Sequence, residues 1–482
     1  MRIPVTVVRT ELPGGEALDL YEALSAVRPD GDVFLFESLA GPAQDCRTAT
    51  VGWGRLADLQ IFADRVHLEA AGPLGVSLSA VITGVLGPRA DEAWPVRDST
   101  QVWAVLRALQ QAFDLTTDLP ADRFAFGFLA TFAYESAWDM DELDPLRIER
   151  DVPRCTMSLF QHTAWYDLSA AAASHLAASG PHLPGHEGAL PESARDDTVP
   201  APRTPDAVRS HVGESQFIAW AEQCLEHIRV GDIYQIQIGH AIEVDSTLTP
   251  RQVYRRLRHR NPSPYMYLLP WAGRTVIGAS PELFLRLEDD RVIMRPIAGT
   301  AARAADAAAD RLRVAALRED PKEQAEHVML VDLCRNDIGR VCVPGTLAVE
   351  DMMDVEPFAY VHHLVSTISA RVSPGIDVWA VLCATFPAGT MTGAPKLRAM
   401  QIIDEIEGAG RGIYSGAVGL IDIRGQSTLA LCIRTIIHRD GTYRTQASAG
   451  IVADSSPPAE WRETLAKMSA AYWALTGEEL LR

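Results

Sequence analysis

Four glutamates in two pairs are the residues whose type and spacing best suit chemistry: Glu323 with Glu326, and Glu460 with Glu463. Each pair has i, i+3 spacing at the start of a segment that reads as a helix. Both carboxylates of a pair therefore share one face, where like charges repel unless a cation lies between them. Two such faces brought together would make an oxygen-lined site for Mg²⁺, which takes a few carboxylates plus water and substrate oxygens. The same residues also fit plain helix starts. Asp320-Pro321-Lys322-Glu323 reads as an N-cap, a proline at N1 and a glutamate closing a capping box. Ser456-Pro457-Pro458 announces the second helix in a similar way. Acidic first turns complement the helix dipole and are common, so spacing alone leaves both readings open.

The elements that must position these pairs alternate helices with antiparallel hairpins. Leu283, Leu285 and Leu287 alternate with outward positions, Asp289-Asp290 turns the chain, and Val292 and Met294 resume the alternation. Residues 417–423, 428–437 and 443–452 read as three further strands, with a break at Gly425 and a hairpin turn at Asp440-Gly441. Helices fit 215–230, 321–333, 396–407 and 457–475. Long-range antiparallel pairing with helices outside it indicates α+β, not a doubly wound parallel sheet. A seam crowded with proline, glycine and charge divides the chain into an N-terminal domain (1–168), a linker (169–212) and a catalytic domain (213–482).

With 482 residues, the chain is too long for one ordinary core. A formal net charge of −19 argues against nucleic acid or an anionic membrane surface as partner. It also means that an anionic substrate needs a local cation or a focused arginine and lysine cluster. The seven cysteines are scattered, odd in number and without a CxxC, which fits reduced thiols and not a zinc site. The start lacks the pattern of a signal peptide, and no apolar stretch is long enough to span a bilayer. A cytoplasmic protein is expected.

Beyond Glu326 runs EHVMLVDLCRNDIGR, followed by VHHLVS, FPAGTMTGAPK, RGIYSGAVG, IRT and SAGIVADS, ending at the second glutamate pair. Through these ordered motifs, residues 214–476 resemble the chorismate-utilising enzymes: anthranilate synthase large subunits, aminodeoxychorismate synthases, isochorismate synthases and salicylate synthases. The likeness is greatest to the anthranilate synthase large subunit. The resemblance implies an anthranilate-synthase-like fold, two orthogonal antiparallel β-sheets with helices packed outside, and it implies Mg²⁺ and chorismate. Position by position, it makes Glu326 and Glu463 direct metal ligands, with Glu323 and Glu460 acting mainly through water. Lys467 and Arg434 would take the substrate's carboxylates, with Tyr414 beside Arg434; a planar guanidinium suits that task. Glu282 would be the acid that protonates the departing C4 hydroxyl. Thr390 would position the substrate, and Ala298, Gly299, Thr300 and Gly450 would line its carboxylates and ring. Taken alone, a buried arginine or tyrosine is more often a structural hydrogen-bonder, and a glycine merely marks a turn.

Two positions bear on which reaction the resemblance implies. Relatives that add water at C2 carry a lysine base where this chain has Gln235, and glutamine cannot take a proton from water. Aminodeoxychorismate synthases usually carry a nucleophilic lysine where Pro296-Ile297-Ala298-Gly299-Thr300 has an alanine. Ammonia itself must then attack C2. His363 would be the base for pyruvate elimination, giving anthranilate, with His362 a spacer. The ammonia would come from a separate glutamine amidotransferase subunit, since no glutaminase elbow is visible. Leu35-Phe36-Glu37-Ser38 and Pro264-Tyr265-Met266 resemble the two sides of a feedback tryptophan pocket, although an apolar strand ending in Glu-Ser equally suits plain core. Ser448, where relatives commonly have glycine, keeps two alternatives open: an enzyme that stops at 2-amino-2-deoxyisochorismate, and an atypical aminodeoxychorismate synthase. An inactive regulatory subunit would show erosion of the metal shell or the acid, and neither is eroded.

Overall fold

The computed structural model describes residues 2–140, 151–185, 190–192 and 195–481. Strands in this chain are mostly apolar on both faces, as sheets covered on both sides require; Gly127–Phe132 and Ala417–Asp422 are buried at every position. Two long strands, Thr48–Ile61 and Cys155–Asp167, pair along their length, with a register shift between Arg55 and Ala57. On one side of that irregularity Val33–Glu37 joins the first strand. The sheet then runs through Tyr265–Trp271, Arg274–Ser280, Thr435–Arg439, Thr442–Ile451 and Gln235–Asp245. On the other side Gly127–Phe132 joins the second strand. That sheet continues through Ala417–Asp422, Ser427–Leu431, Leu283–Glu288, Arg291–Met294 and Ile368–Arg371. Bulges let long strands bend and pass from one sheet to another, so the long pair forms a corner common to both. A separate three-stranded sheet holds Ile297–Ala302, Val361–Val365 and Asp354–Pro357. The architecture is α+β.

Of the expected helices, Lys396–Glu407 has the predicted ends, Glu214–Arg229 is shifted by a residue at both ends, Pro457–Thr476 is a residue longer at its end, and Pro321–Gly339 runs six residues further. Asp320 caps that last helix by accepting from the backbone of Lys322 and Glu323. The reciprocal half of a capping box does not form among the described contacts, and the Glu323 side chain turns to the cavity described below. The Pro457–Thr476 helix is anchored at its other end. Buried Arg256 donates to the carbonyls of Trp473 and Ala474, satisfying groups that a helix end leaves without intrahelical partners.

Three sequence expectations are corrected. Residues 428–437 are two strands, Ser427–Leu431 and Thr435–Arg439, separated where Arg434 adopts a left-handed φ of 53°. The supposed linker contains Ala172–Ser179, paired to Ile3–Glu11 and Cys155–Asp167, and Ala207–Ser210, paired to Gln235–Asp245. The first 168 residues also do not fold apart, because Val33–Glu37 and Gly127–Phe132 pair directly with strands from beyond residue 212. The seam reflects exposed chain within one assembly of sheets, where proline and charge are tolerated. Among the described residues no helix is long and apolar enough to cross a membrane, and no cysteine is in a disulfide.

Candidate active site

The helices Pro321–Gly339 and Pro457–Thr476 turn their first turns toward one cavity of about 470 Å³, within the range typical of small-molecule sites. Glu323, Glu326, Glu460 and Glu463 all line it. Their electrostatics are those of crowded carboxylates. Burial and then Asp320 raise Glu323; burial and then Glu323 and Glu463 raise Glu326. Burial also raises Glu460, whereas Glu463 ends below its usual range because Lys467 offsets the effect of burial. The Lys467 ammonium lies 2.6 Å from Glu463. Such a set holds more negative charge than Lys467 and nearby Lys322 neutralise, and its hard oxygen donors fit a Mg²⁺-type cation. No three of the described acidic, histidine or cysteine side chains converge as a preformed metal cage, so the donors surround the cavity without enclosing a point in it.

Opposite the helices, Glu282 follows the strand Arg274–Ser280 and is only 6% exposed. Burial pushes its carboxyl up to about 8, against the hydrogen bond from Thr390, the backbone of Ile297 and the charge of Lys467. Thr390 Oγ1 donates to Glu282 Oε1 at 3.0 Å from the short turn Gly389–Met391. A carboxylic acid that stays protonated at neutral pH can deliver a proton to a leaving group.

The cationic pole consists of Arg434 and Lys467. Arg434 occupies the left-handed backbone region between two strands, a conformation that is costly for a side chain-bearing residue and is found where structure holds a group in place. Its Nη1 donates to the carbonyl of Lys467 at 3.0 Å. Lys467 Nζ donates to the carbonyl of Ser448 at 2.9 Å. Tyr414 is buried, with its hydroxyl 2.7 Å from Ser448 Oγ.

His363 lines the same cavity from the strand Val361–Val365. Its Nδ1 lies 2.8 Å from the carbonyl of Gly299 and 3.1 Å from Thr300 Oγ1. A carbonyl accepts only, so Nδ1 carries the proton and Nε2 is the basic nitrogen. Burial lowers the imidazole to about 4, so it is neutral at pH 7. His362 instead lies 3.0 Å from Asp310. Ala298, Gly299 and Thr300 form a wall of the cavity. A Cβ on Gly299, at φ 64°, would stand 2.9 Å from Glu323 Oε2, and one on Gly450 would stand 3.0 Å from Gln237 Nε2. Gln235 is fully buried behind the wall and donates to Glu326 Oε1 at 3.2 Å. It reaches the site through that carboxylate, and its own Oε1 has no hydrogen-bond partner among the described residues.

The expected regulatory residues also converge: Glu37, Ser38, Pro264, Tyr265 and Met266 line a second cavity, of about 140 Å³. Two of its acids, Glu37 and Asp45, are already engaged. Glu37 accepts from Tyr254 and twice from Arg258, and Tyr265 donates to Asp45 at 2.8 Å.

Sequence reasoning missed the groups that tie the site together. Buried Arg411 donates to the carbonyls of Met391 and Gln237 and forms a two-point pair with Glu407. Gln237 lines the cavity two residues after Gln235. The alternation in Gln235-Ile-Gln237-Ile placed both amides on one face of a strand, and that was the available signal.

A family model described as chorismate binding enzyme matches residues 67–472. A 2-amino-4-deoxychorismate synthase from Streptomyces globisporus is 46% identical, over 99% of this chain and 98% of that protein. Anthranilate synthase component 1 of Streptomyces coelicolor is 47% identical, but over 58% of this chain and 55% of that protein. Among solved structures, anthranilate synthase component I from Streptococcus pneumoniae superposes with a TM-score of 0.66 at 27% identity, covering 88% of this chain and 92% of that one. The menaquinone-specific isochorismate synthase of Escherichia coli shares the fold with a TM-score of 0.70, covering 98% and 95%, at 17% identity. The fold is thus anthranilate-synthase-like, and the chain belongs to the chorismate-binding enzyme family.

Proposed function

We propose that the chain aminates chorismate at C2 with ammonia, expels the C4 hydroxyl as water, and releases 2-amino-4-deoxychorismate with its enolpyruvyl group intact. The observation that carries the chemistry is Glu282: a buried acid, protonated up to about pH 8, in one cavity with Arg434 and Lys467. The C2–N bond forms, the ring double bonds shift, and the C4–O bond breaks as Glu282 gives its proton to the leaving oxygen. The incoming nitrogen loses a proton, so charge balances. Arg434 holds the enolpyruvyl carboxylate, with Lys467 at the second one, and Thr390 fixes the acid. Glu326 and Glu463, assisted by Glu323 and Glu460, would hold Mg²⁺; when bound, it supplies positive charge opposite the ring carboxylate. Gln235 and Ala298 supply neither a base for water nor an amine nucleophile, which leaves ammonia as the attacking group. A separate glutamine amidotransferase subunit is the proposed ammonia source.

Likeness along nearly the full length of the Streptomyces globisporus protein, whose name puts nitrogen at C2 and no oxygen at C4, supports retention of the enolpyruvyl group. One observation favours a second reading, an anthranilate synthase component I: neutral His363 offers Nε2 to the cavity, as a base for elimination requires. Incubation with chorismate, Mg²⁺ and ammonium at alkaline pH, with products resolved by mass, separates the two. An aminated product that keeps three enolpyruvyl carbons supports the first; anthranilate plus pyruvate replaces it with the second. The second cavity supports a regulatory reading with tryptophan as ligand, tested by titrating tryptophan into that assay.

A further inference from the structure

Elimination of pyruvate from the aminated ring demands two proton movements. The C2 proton leaves, its electron pair forms the C2–C3 double bond, and the C3–O bond breaks. The departing enolate oxygen then needs a proton or a strong donor. A neutral His363 is suited to the first movement. The group placed for the second is Tyr414, which lines the cavity and lies close enough to Arg434 to feel its charge.

The Tyr414 proton is already committed. Ser448 Oγ lies 2.7 Å from the Tyr414 hydroxyl and 3.2 Å from Gln237 Oε1. An amide oxygen only accepts, so the single Ser448 proton goes to Gln237. Tyr414 must then donate to Ser448. At the other end of the amide, Gln237 Nε2 lies 3.0 Å from the place a Gly450 Cβ would take, so the oxygen is the atom that meets Ser448. Ser448 is 2% exposed and its carbonyl accepts from Lys467, which leaves Tyr414 and Gln237 as the described partners of its hydroxyl. The relay therefore runs Tyr414 to Ser448 to Gln237, and the phenol shows the cavity lone pairs in place of a proton.

Resting on the function proposed above, we propose that Ser448 is a specificity-determining residue: by taking the Tyr414 proton into a relay ending at Gln237, it withholds the donor needed at the enolpyruvyl oxygen and stops the reaction at the aminated diene. The residue acts through Tyr414, so the ratio of anthranilate to aminated diene, which a purely structural role would not move, is the readout.

The test incubates Ser448→Ala with chorismate, Mg²⁺ and ammonium and follows both products. The ratio is expected to rise tenfold or more. Ser448→Thr, which keeps a hydroxyl, should hold the wild-type ratio, and adding Tyr414→Phe to Ser448→Ala should return it. If Ser448→Ala does not fold, Gln237→Met removes the acceptor at the far end of the relay and should raise the ratio in the same sense. A wild type that makes the diene, with variants that leave the ratio unchanged, overturns this inference alone. Anthranilate as the sole wild-type product, or no product aminated at C2, overturns the functional reading as well.

Discussion

Replacing Glu282 by glutamine should make the protein more stable and nearly inactive at once. In the folded chain this carboxyl stays protonated up to about pH 8, whereas an unburied glutamate ionises near 4.5. Between those values the unfolded chain has lost the proton and the folded chain has not. Stability therefore falls as pH rises through the window and levels off above it. One pH unit is worth about 1.4 kcal/mol, so the full window costs at most about 5 kcal/mol, of which about 3 are already lost at ~pH 6.5. Glutamine has no such window, and it still offers an oxygen to Thr390, which now donates to Glu282 at 3.0 Å. The variant should match wild type near pH 4 and exceed it increasingly toward pH 8. Turnover should fall about 10²- to 10⁴-fold, the usual contribution of a general acid. Denaturant unfolding at three pH values and steady-state kinetics measure the two effects. Parallel stability curves, or a variant that still turns over at a tenth of the wild-type rate, would refute the assignment.

Glu326→Gln or Glu463→Gln should abolish turnover while leaving the fold intact; for Glu326 the melting temperature should hold or rise, since repulsion from Glu323 and Glu463 is relieved. Calorimetry should show Mg²⁺ and chorismate strengthening each other's binding by one common factor; independent binding would reject the metal assignment. Ala298→Lys should impair amination, because residue 298 forms the cavity wall; an unchanged product and rate would displace it from the ring. The alkaline fall in kcat/KM, measured at saturating free ammonia, should follow loss of the Glu282 proton near pH 8, with no acid limb from His363 above about pH 5; a limb near pH 6.5 that persists in Glu460→Gln and disappears in His363→Gln would mean that the imidazole is not buried as described.

The site was legible because its signals are local. The i, i+3 spacing of the glutamates survives folding of any helix, and the family resemblance carried by the motifs named the other residues that line the same cavity. Helix ends were readable where a cap stated them, as with Asp320 and Pro321. The split of 428–437 was not readable, because apolar residues continue on both sides of Arg434 and only the backbone shows its left-handed turn. Nor was the continuity between the halves of the chain. The proline- and charge-rich stretch after residue 179 looks like a domain boundary, yet sheet pairing joins Val33–Glu37 to Tyr265–Trp271 across more than two hundred residues. The long helix Pro321–Gly339 outran its expected end because its last turns are held by tertiary contact: Lys396 donates to Asp337 at 2.7 Å. Arg411 shows the same limit, since its partners Met391, Gln237 and Glu407 come from three separate stretches.

The position at which nitrogen enters the ring defines the reaction. Reaction of chorismate with ¹⁵N-ammonium and Mg²⁺, read by ¹⁵N–¹³C couplings in the product, should place the label on C2 with the enolpyruvyl ether still on C3. Label on C4, or an oxygenated product carrying no label, would contradict it.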